Sequence, residues 1–427
     1  MMSCENYSAR GRRNQVTHLQ TETESDLRRR DHLTFKGNRS QGRHGWLRLT
    51  PAYSLHLVQG LVAGLSRQDV VLDPFCGTGT TALVCSGQGI SCDTVDLNAF
   101  LVWLASAKCA PYDDTDIRHT QAFARHTVTQ GLNGSDAWAP PIQDIHKWWS
   151  EPTLRALSAL FALISEKPVS RHRDLLHIAF CRTVIETAAV SFGHQSMSFR
   201  KADPQPTLFD ESASEVVLGH FDRAVADVLK TAVEAPTGNV GVFLGDSRRL
   251  NQFLPPQRYA AVITSPPYPN RMSYIRELRP YMYWLGYLTD GRQAGELDWK
   301  AIGGTWGCAT SRVAKWEPDP QIAVPWKGFD ACIQGIKAHS DLLGRYVHKY
   351  FEDAVLHVES LVTVLAHGAR VHYVVGNSKF YDVVLPTEEI YAAIFEAAGL
   401  ANVVVERIRK RTSKKELFEF VVHATKA

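Results

Sequence analysis

The sequence predicts an α/β protein built on a mostly parallel, doubly wound sheet with an antiparallel hairpin at its C-terminal end. Three observations predict it. From Trp46 onward, short β-branched runs alternate with helical apolar spacing. A glycine-bearing turn, Gly77 and Gly79, joins the first such run to its helix. The last hundred residues then read strand, helix, strand, strand. Together they describe a Rossmann-like layout with one antiparallel pair.

In order along the chain, "SLHLVQGLVAGL" has helical spacing, "DVVLDPF" is a strand, and "GTTALVCSGQG" is a helix with a glycine stop. "SCDTVDLN" is the second strand and "AFLVWLASAKC" the second helix. Residues 113–237 change character to a mainly helical insertion, with "TLRALSALFALISEK" and "RDLLHIAFCRTVIETAAV" as its clearest helices. The α/β rhythm returns at "NVGVFLGDSRRL" and "YAAVIT", followed by a helical stretch from Tyr274 to Leu288. Residues 289–330 read as an irregular loop insertion near the site, and a long helix runs from about Ser340 to Leu365. "RVHYVVGN", "PTEEIYAAIFEAAGL", "NVVVERI" and "LFEFVVHAT" close the sheet. Residues 44–112 and 238–427 are therefore expected to form one α/β domain. Residues 1–43, polar and without periodicity, are expected to be a disordered tail.

Bulk properties bound the function. With 44% hydrophobic and 21% charged residues the chain has the balance of a globular protein. No apolar run approaches the roughly 20 residues of a membrane span, and the N-terminus has no secretory pattern, so a cytoplasmic location is expected. Eight scattered cysteines without a C-x-x-C pair fit reduced thiols. Seventeen histidines include no H-x-x-x-H pair, and no metal is expected. A net charge of +3 permits a polyanionic partner without requiring one.

Two stretches carry chemistry. In "VVLDPFCGTGTT", Gly77 and Gly79 open a helix whose free N–H groups face a ligand closely. Asp96 ends the next strand at the spacing of a carboxylate that accepts ribose hydroxyls, so a nucleoside-containing cofactor is expected. The chain has no phosphate-cradling G-x-x-x-x-G-K-[ST]. Asp73 at the strand end would repel a pyrophosphate and suits a cationic ligand. The second stretch is "YAAVITSPPY": a buried strand ending in Thr264, Ser265, Pro266, Pro267 and Tyr268. A hydroxyl and a carbonyl held rigid by two prolines are acceptors, and the tyrosine offers a stacking face.

As a pair, in this order and on these strands, "DPFCGTGTT" and "TSPPY" resemble the cofactor loop and catalytic loop of amino-group DNA methyltransferases. "HGWLRLTPAYS" looks like the segment before the loop in such enzymes, and "RIRKRTSKKELFEFVV" like their final hairpin. The resemblance implies a class I methyltransferase sheet, S-adenosylmethionine as cofactor, DNA as substrate with the base flipped, and a cognate restriction nuclease as possible partner. It assigns the cofactor to Asp73, Phe75, Gly77, Gly79, Thr80, Asp96, Asp246 and Thr264. It assigns catalysis to Ser265, Pro266, Pro267 and Tyr268. Ser265 in the first position resembles the cytosine-N4 group, whereas Asp or Asn is more usual for adenine-N6. The motif order, cofactor loop first, is the reverse of many N4-cytosine enzymes. The absence of a Pro-Cys pair argues against ring-carbon methylation. Adenine-N6 methylation, tRNA guanosine-N2 methylation and an inactive nucleic-acid-binding subunit are the alternatives.

Three further stretches have two readings. In "PNRMSYIRELRPYMYW", Arg271, Arg276 and Arg279 with Tyr274, Tyr281 and Trp284 suit nucleic-acid contact, but the helical spacing equally suits core packing. Residues 191–205 and 303–316 have the small, basic and aromatic mixture of loops lining a nucleic-acid cleft.

Overall fold

The computed structural model describes residues 17–19, 33–47, 49, 53–132, 138–191, 198–199, 212–234, 236–270, 273–304, 308–411 and 416–427. Strand β1 (Thr17–Leu19) and two 3-10 turns (Phe35–Ser40, Gly42–Gly45) precede the main alternation. Helix α1 (Leu55–Val62) follows, then β2 (Val70–Asp73), α2 (Thr80–Gly87), β3 (Ser91–Asp96) and α3 (Ala99–Cys109). Helices α4 (Asp114–Gln130), α5 (Glu151–Ser165), α6 (Arg171–Glu186) and α7 (Ala213–Ala232) make the helical block. Between the last two lies a short hairpin, β4 (Val190–Ser191) and β5 (Ser198–Phe199).

The sheet resumes with β6 (Val240–Leu244) and β7 (Tyr259–Thr264). Helices α8 (Tyr274–Trp284), α9 (Gly291–Lys300), α10 (Cys308–Val313), α11 (Phe329–Lys337) and α12 (Asp341–Val364) follow. The chain ends with β8 (Leu365–Gly376), the hairpin β9 (Ser378–Phe380) and β10 (Val383–Leu385), α13 (Thr387–Ala397), β11 (Leu400–Lys410) and β12 (Phe418–Lys426).

The main sheet has the order β1-β11-β12-β8-β7-β2-β3-β6. Strands β6, β3, β2, β7 and β8 are parallel, and β12 runs antiparallel to both β8 and β11. This is the expected Rossmann-like sheet with its antiparallel C-terminal hairpin. Its strand order reverses between β2 and β7. At such a reversal the loops leaving two neighbouring strands diverge and open a crevice at their carboxyl ends.

Alternation on the strands builds the two covering layers. Val71, Cys92, Ala261 and Ile263 pack with Leu55 and Val58 of α1 and Ala82 of α2. Leu72, Val95 and Val262 pack with Val347, Phe351 and Val358 of α12 and with Ile390 and Phe395 of α13. A parallel sheet covered on both faces needs apolar residues at successive positions, which "VVL" and "AAVI" supply.

The helical block is capped by its own sequence. Asp113 and Asp116 form a reciprocal capping box on α4, and Ser212 with Glu215 forms another on α7. Its core gathers Trp149, Phe180, Phe221 and Trp284.

Three expectations change. Residues 289–330, expected to be irregular, hold α9 and α10 and the start of α11. These are short polar helices with few apolar positions, Ala294 being the buried one of α9. Residues 190–199 contain a two-stranded hairpin too short to show a strand rhythm. The boundary expected at residue 43 is not a structural break. Arg43 is buried, and its guanidinium donates to the carbonyls of Lys108 and Ala110 at the C-terminal end of α3 and of Thr231, Ala232 and Glu234 at that of α7. A cation at two helix C-termini satisfies carbonyls that the helices leave open. The turn expected at Thr412-Ser413-Lys414 lies outside the described residues.

Candidate functional site

The carboxyl ends of β2, β3, β6 and β7 lie along one edge, and the two sequence motifs meet at the reversal between β2 and β7. Asp73 ends β2 fully buried. Its Oδ1 accepts a 2.6 Å bond from Thr264 Oγ1 at the end of β7 and a 3.1 Å bond from the Phe75 N–H. Its Oδ2 is buried and accepts nothing among the described residues. Burial pushes the Asp73 carboxyl up to about 6, against the neighbouring Thr264 and Thr81 hydroxyls and the Phe75 N–H, which favour its charge.

Gly77 and Gly79 both have positive φ, 50° and 75°, the left-handed region open to glycine. A Cβ at Gly79 would stand 3.1 Å from Ala105 Cβ, so the glycine also lets α2 and α3 pack closely. Thr80 starts α2 buried, its hydroxyl 3.0 Å from that of Thr78. Asp96 is half-buried, accepting from the N–H groups of Gly77 at 2.9 Å and Asn98 at 2.8 Å. Burial raises its carboxyl to about 6 as well. Beneath the loop, the buried Lys108 donates to the Thr78 carbonyl at 3.1 Å, and burial lowers its ammonium to about 8.

Phe75 packs edge-on against His357, ring centroids 4.7 Å apart. His357 donates Nδ1–H to the Ser247 carbonyl at 2.8 Å and accepts at Nε2 from the Tyr373 hydroxyl at 2.6 Å. Burial lowers it to about 4, so it is a neutral tautomer fixed at both nitrogens.

Asp246 is differently placed. It caps the turn Ser247–Gln252 by accepting from the Arg248 N–H at 3.0 Å. The Arg248 guanidinium then binds both of its oxygens, at 3.0 and 2.8 Å, and Asp353 at 2.6 Å. Burial opposes the charge on Asp246, and Arg248 overcomes it, holding the carboxyl below its ordinary range. In this structure its contacts are those of a cap and an ion pair.

The Ser265 to Tyr268 loop is fastened at its far end. Tyr350 of α12 donates to the Pro267 carbonyl at 2.6 Å, and Tyr391 of α13 lies 3.1 Å behind it. The Tyr268 N–H donates to the Tyr274 hydroxyl at 3.2 Å. The Tyr268 phenol donates to Glu419 at 2.9 Å, and Arg411 stands over its ring at 4.9 Å. Burial, then Glu419, raises the phenol well above its ordinary value, so it stays a donor. The Pro266 carbonyl accepts no bond among the described residues, and Ser265 is half-buried beside it.

The structure thus places these residues along one edge of the sheet, with Asp246 after β6 paired to Arg248. The sequence reading missed Tyr350, Tyr274, Glu419 and Arg411, which come from α12, α8 and the final hairpin. Only their aromatic or charged character was visible, not their approach to the loop. Tyr281, Leu278 and Trp284 are buried: Tyr281 stacks on Phe100 at 5.7 Å and Trp284 lies in the helical core. The core-packing reading of α8 therefore holds for them. Arg271 and residues 192–197, 200–205 and 305–307 of the two loop stretches lie outside the described residues.

No protein-family model matches the chain. Over 311 residues it is 26% identical to Type II methyltransferase M.BsoBI of Geobacillus stearothermophilus, covering 66% of this chain and 59% of that protein. The likeness is to methyltransferases. Over 67 residues it is 31% identical to Type II methyltransferase M.AvaI of Nostoc sp. and of Anabaena variabilis, 15% of this chain and 14% of theirs. The chain thus matches less than two thirds of the length of these relatives. The solved rRNA methyltransferase aviRa from Streptomyces viridochromogenes overlaps 88% of this chain at 11% identity with a TM-score of 0.30, too low to bear on function. Among the described residues, no helix is long and apolar enough to cross a membrane, and no three metal-ligating side chains cluster.

Proposed function

We propose that the protein is a DNA methyltransferase that moves a methyl group from S-adenosylmethionine to an exocyclic base amine, cytosine N4 before adenine N6. The observation that carries this reading is the bond between Asp73 and Thr264. It joins the strand end of a nucleoside-cofactor loop to the strand end of an amine-accepting loop, at the reversal of the sheet. The similarity to Type II methyltransferases supports it.

The residues fit the cofactor. Asp73 Oδ2 is a buried oxygen short of a donor, which the cationic amino group of a methionine moiety would supply. Asp96 reaches the edge of the crevice for ribose hydroxyls, and Phe75 offers an apolar wall. When bound, S-adenosylmethionine supplies an electrophilic sulfonium methyl.

The chain's part is orientation. An exocyclic amine is a poor nucleophile because its lone pair is delocalised into the ring. Ser265 Oγ and the Pro266 carbonyl accept its two N–H bonds and draw the lone pair toward the methyl. Pro266 and Pro267 fix φ, and Tyr350 and Tyr274 take up the next two backbone groups, so the open acceptor is Pro266. Tyr268 provides the face on which a flipped base stacks. Alignment supplies most of the acceleration, and the product ammonium loses its proton to water. A DNA substrate and a cognate nuclease belong to the same proposal, as does a target-reading role for residues 113–237.

The test is nucleoside mass spectrometry on host DNA and RNA after expressing wild type and Ser265→Ala. N4-methylcytosine in DNA that vanishes in the variant is the expected result. N6-methyladenine would keep the mechanism and change the base; a mark confined to RNA would overturn the DNA substrate.

A further inference from the structure

Three cations line the place where the final hairpin meets the catalytic loop. Two of them have carboxylates: Lys379 Nζ lies 2.7 Å from Glu416, and Arg409 Nε lies 2.6 Å from Glu419. The third, Arg411, has no carboxylate among the described residues. The four residues after it, Thr-Ser-Lys-Lys, contain no acid either. Its Nη1 donates to the Asn377 carbonyl at 2.8 Å, and its guanidinium lies over the ring of Tyr268 at 4.9 Å. Gly376 makes this packing possible: a Cβ there would collide with Arg411 Nη1 and stand 2.9 Å from Tyr268 Cε2.

A half-buried guanidinium resting on a ring and a carbonyl is incompletely satisfied. A cation–π contact is weaker than a bidentate bond to an anion. The planar fork matches a phosphodiester, and a base arriving at Tyr268 would compete for the ring that Arg411 occupies. We propose that Arg411 is the phosphate contact of the site: it rests on Tyr268 in the free protein and binds the phosphodiester of the target nucleotide when a base reaches that ring. This inference rests on the nucleic-acid reading of the site.

The test uses the full chain and a short duplex carrying the methylated position mapped in host DNA. Binding is measured over a salt series for wild type, Arg411→Gln and Arg411→Lys. The expected result is weaker binding by Arg411→Gln, with the slope of log affinity against log salt reduced by about one, and recovery of the slope in Arg411→Lys. Cofactor affinity and melting temperature should match wild type. An unchanged slope in Arg411→Gln would overturn the phosphate contact, as would equal losses in both variants at constant slope, which would assign the effect to stacking. If the mark maps to RNA, an RNA probe is held to the same criterion. If wild type marks neither polymer, the reading of the site fails first and this proposal falls with it.

Discussion

Asp73 and Asp246 begin alike and end differently. Each is an acid at the carboxyl end of a parallel region of the sheet, and each is expected on sequence to face a cofactor. Asp246 has both oxygens taken by Arg248 and caps the turn that follows it. Asp73 gives one oxygen to Thr264 and Phe75 and keeps the other buried without a donor. A carboxylate saturated by its own chain is scaffold. A buried one left short is a demand for a ligand, because an unmet charge costs several kcal/mol. The catalytic loop repeats the contrast one residue at a time. The Pro267 carbonyl and Tyr268 N–H are taken, and the Pro266 carbonyl accepts no bond among the described residues.

This contrast can be broken in order of expected effect. Ser265→Ala removes a side-chain acceptor beside the Tyr268 phenol; turnover should fall by roughly two to three orders of magnitude. Cofactor affinity, measured by titration calorimetry, should stay within about twofold. Asp73→Asn should weaken cofactor binding by roughly 10- to 100-fold, the range for a bond to a charged group. Its pH profile is the sharper readout. The Asp73 carboxyl stands at about 6 in the free protein, so below that pH it must lose a proton to accept a cation. Wild-type affinity should therefore rise as pH increases from 5 to 6 and level off above, and Asp73→Asn should lose most of that rise. A variant that keeps wild-type affinity and slope would place the cation elsewhere.

Tyr350→Phe keeps the packed ring and releases the Pro267 carbonyl. We expect turnover to fall about tenfold, an effect of one misplaced acceptor, with cofactor affinity unmoved. The smallest functional effect belongs to Asp246→Asn. Cofactor binding should change less than twofold, while thermal unfolding registers a loss of about 0.2–1 kcal/mol from the weakened ion pair, since asparagine caps as well as aspartate. If the order of Asp73 and Asp246 reversed in the binding assay, the distinction drawn between them would be mistaken.

Much of the sheet was legible because a parallel sheet buried on both faces writes itself as apolar runs, and β2 and β7 carry such runs. The loops at their ends were legible because glycine at positive φ and paired prolines are local requirements. What could not be read depends on distance in the chain. Tyr350 reaches Pro267 across 83 residues and Glu419 reaches Tyr268 across 151, and neither approach leaves a local pattern. The short polar helices α9 and α10 were missed because their stability comes from docking rather than from amphipathic length. The setting of Asp246 was illegible for a related reason: the spacing shows an acid at a strand end, but not the arginine two residues on folding back over it.

Arg43 bears on the order in which the molecule can be assembled. Its guanidinium is satisfied only when the carbonyls of residues 108 and 110 and those of residues 231, 232 and 234 are all in place. On a ribosome, the segment beside the cofactor loop must therefore wait until more than half of the 427 residues have been made. Until then a buried cation and five carbonyls have only water to bind. The helical block between the two halves of the sheet thus acts as a delay: the N-terminal half of the crevice reaches its final form only after α7 has folded.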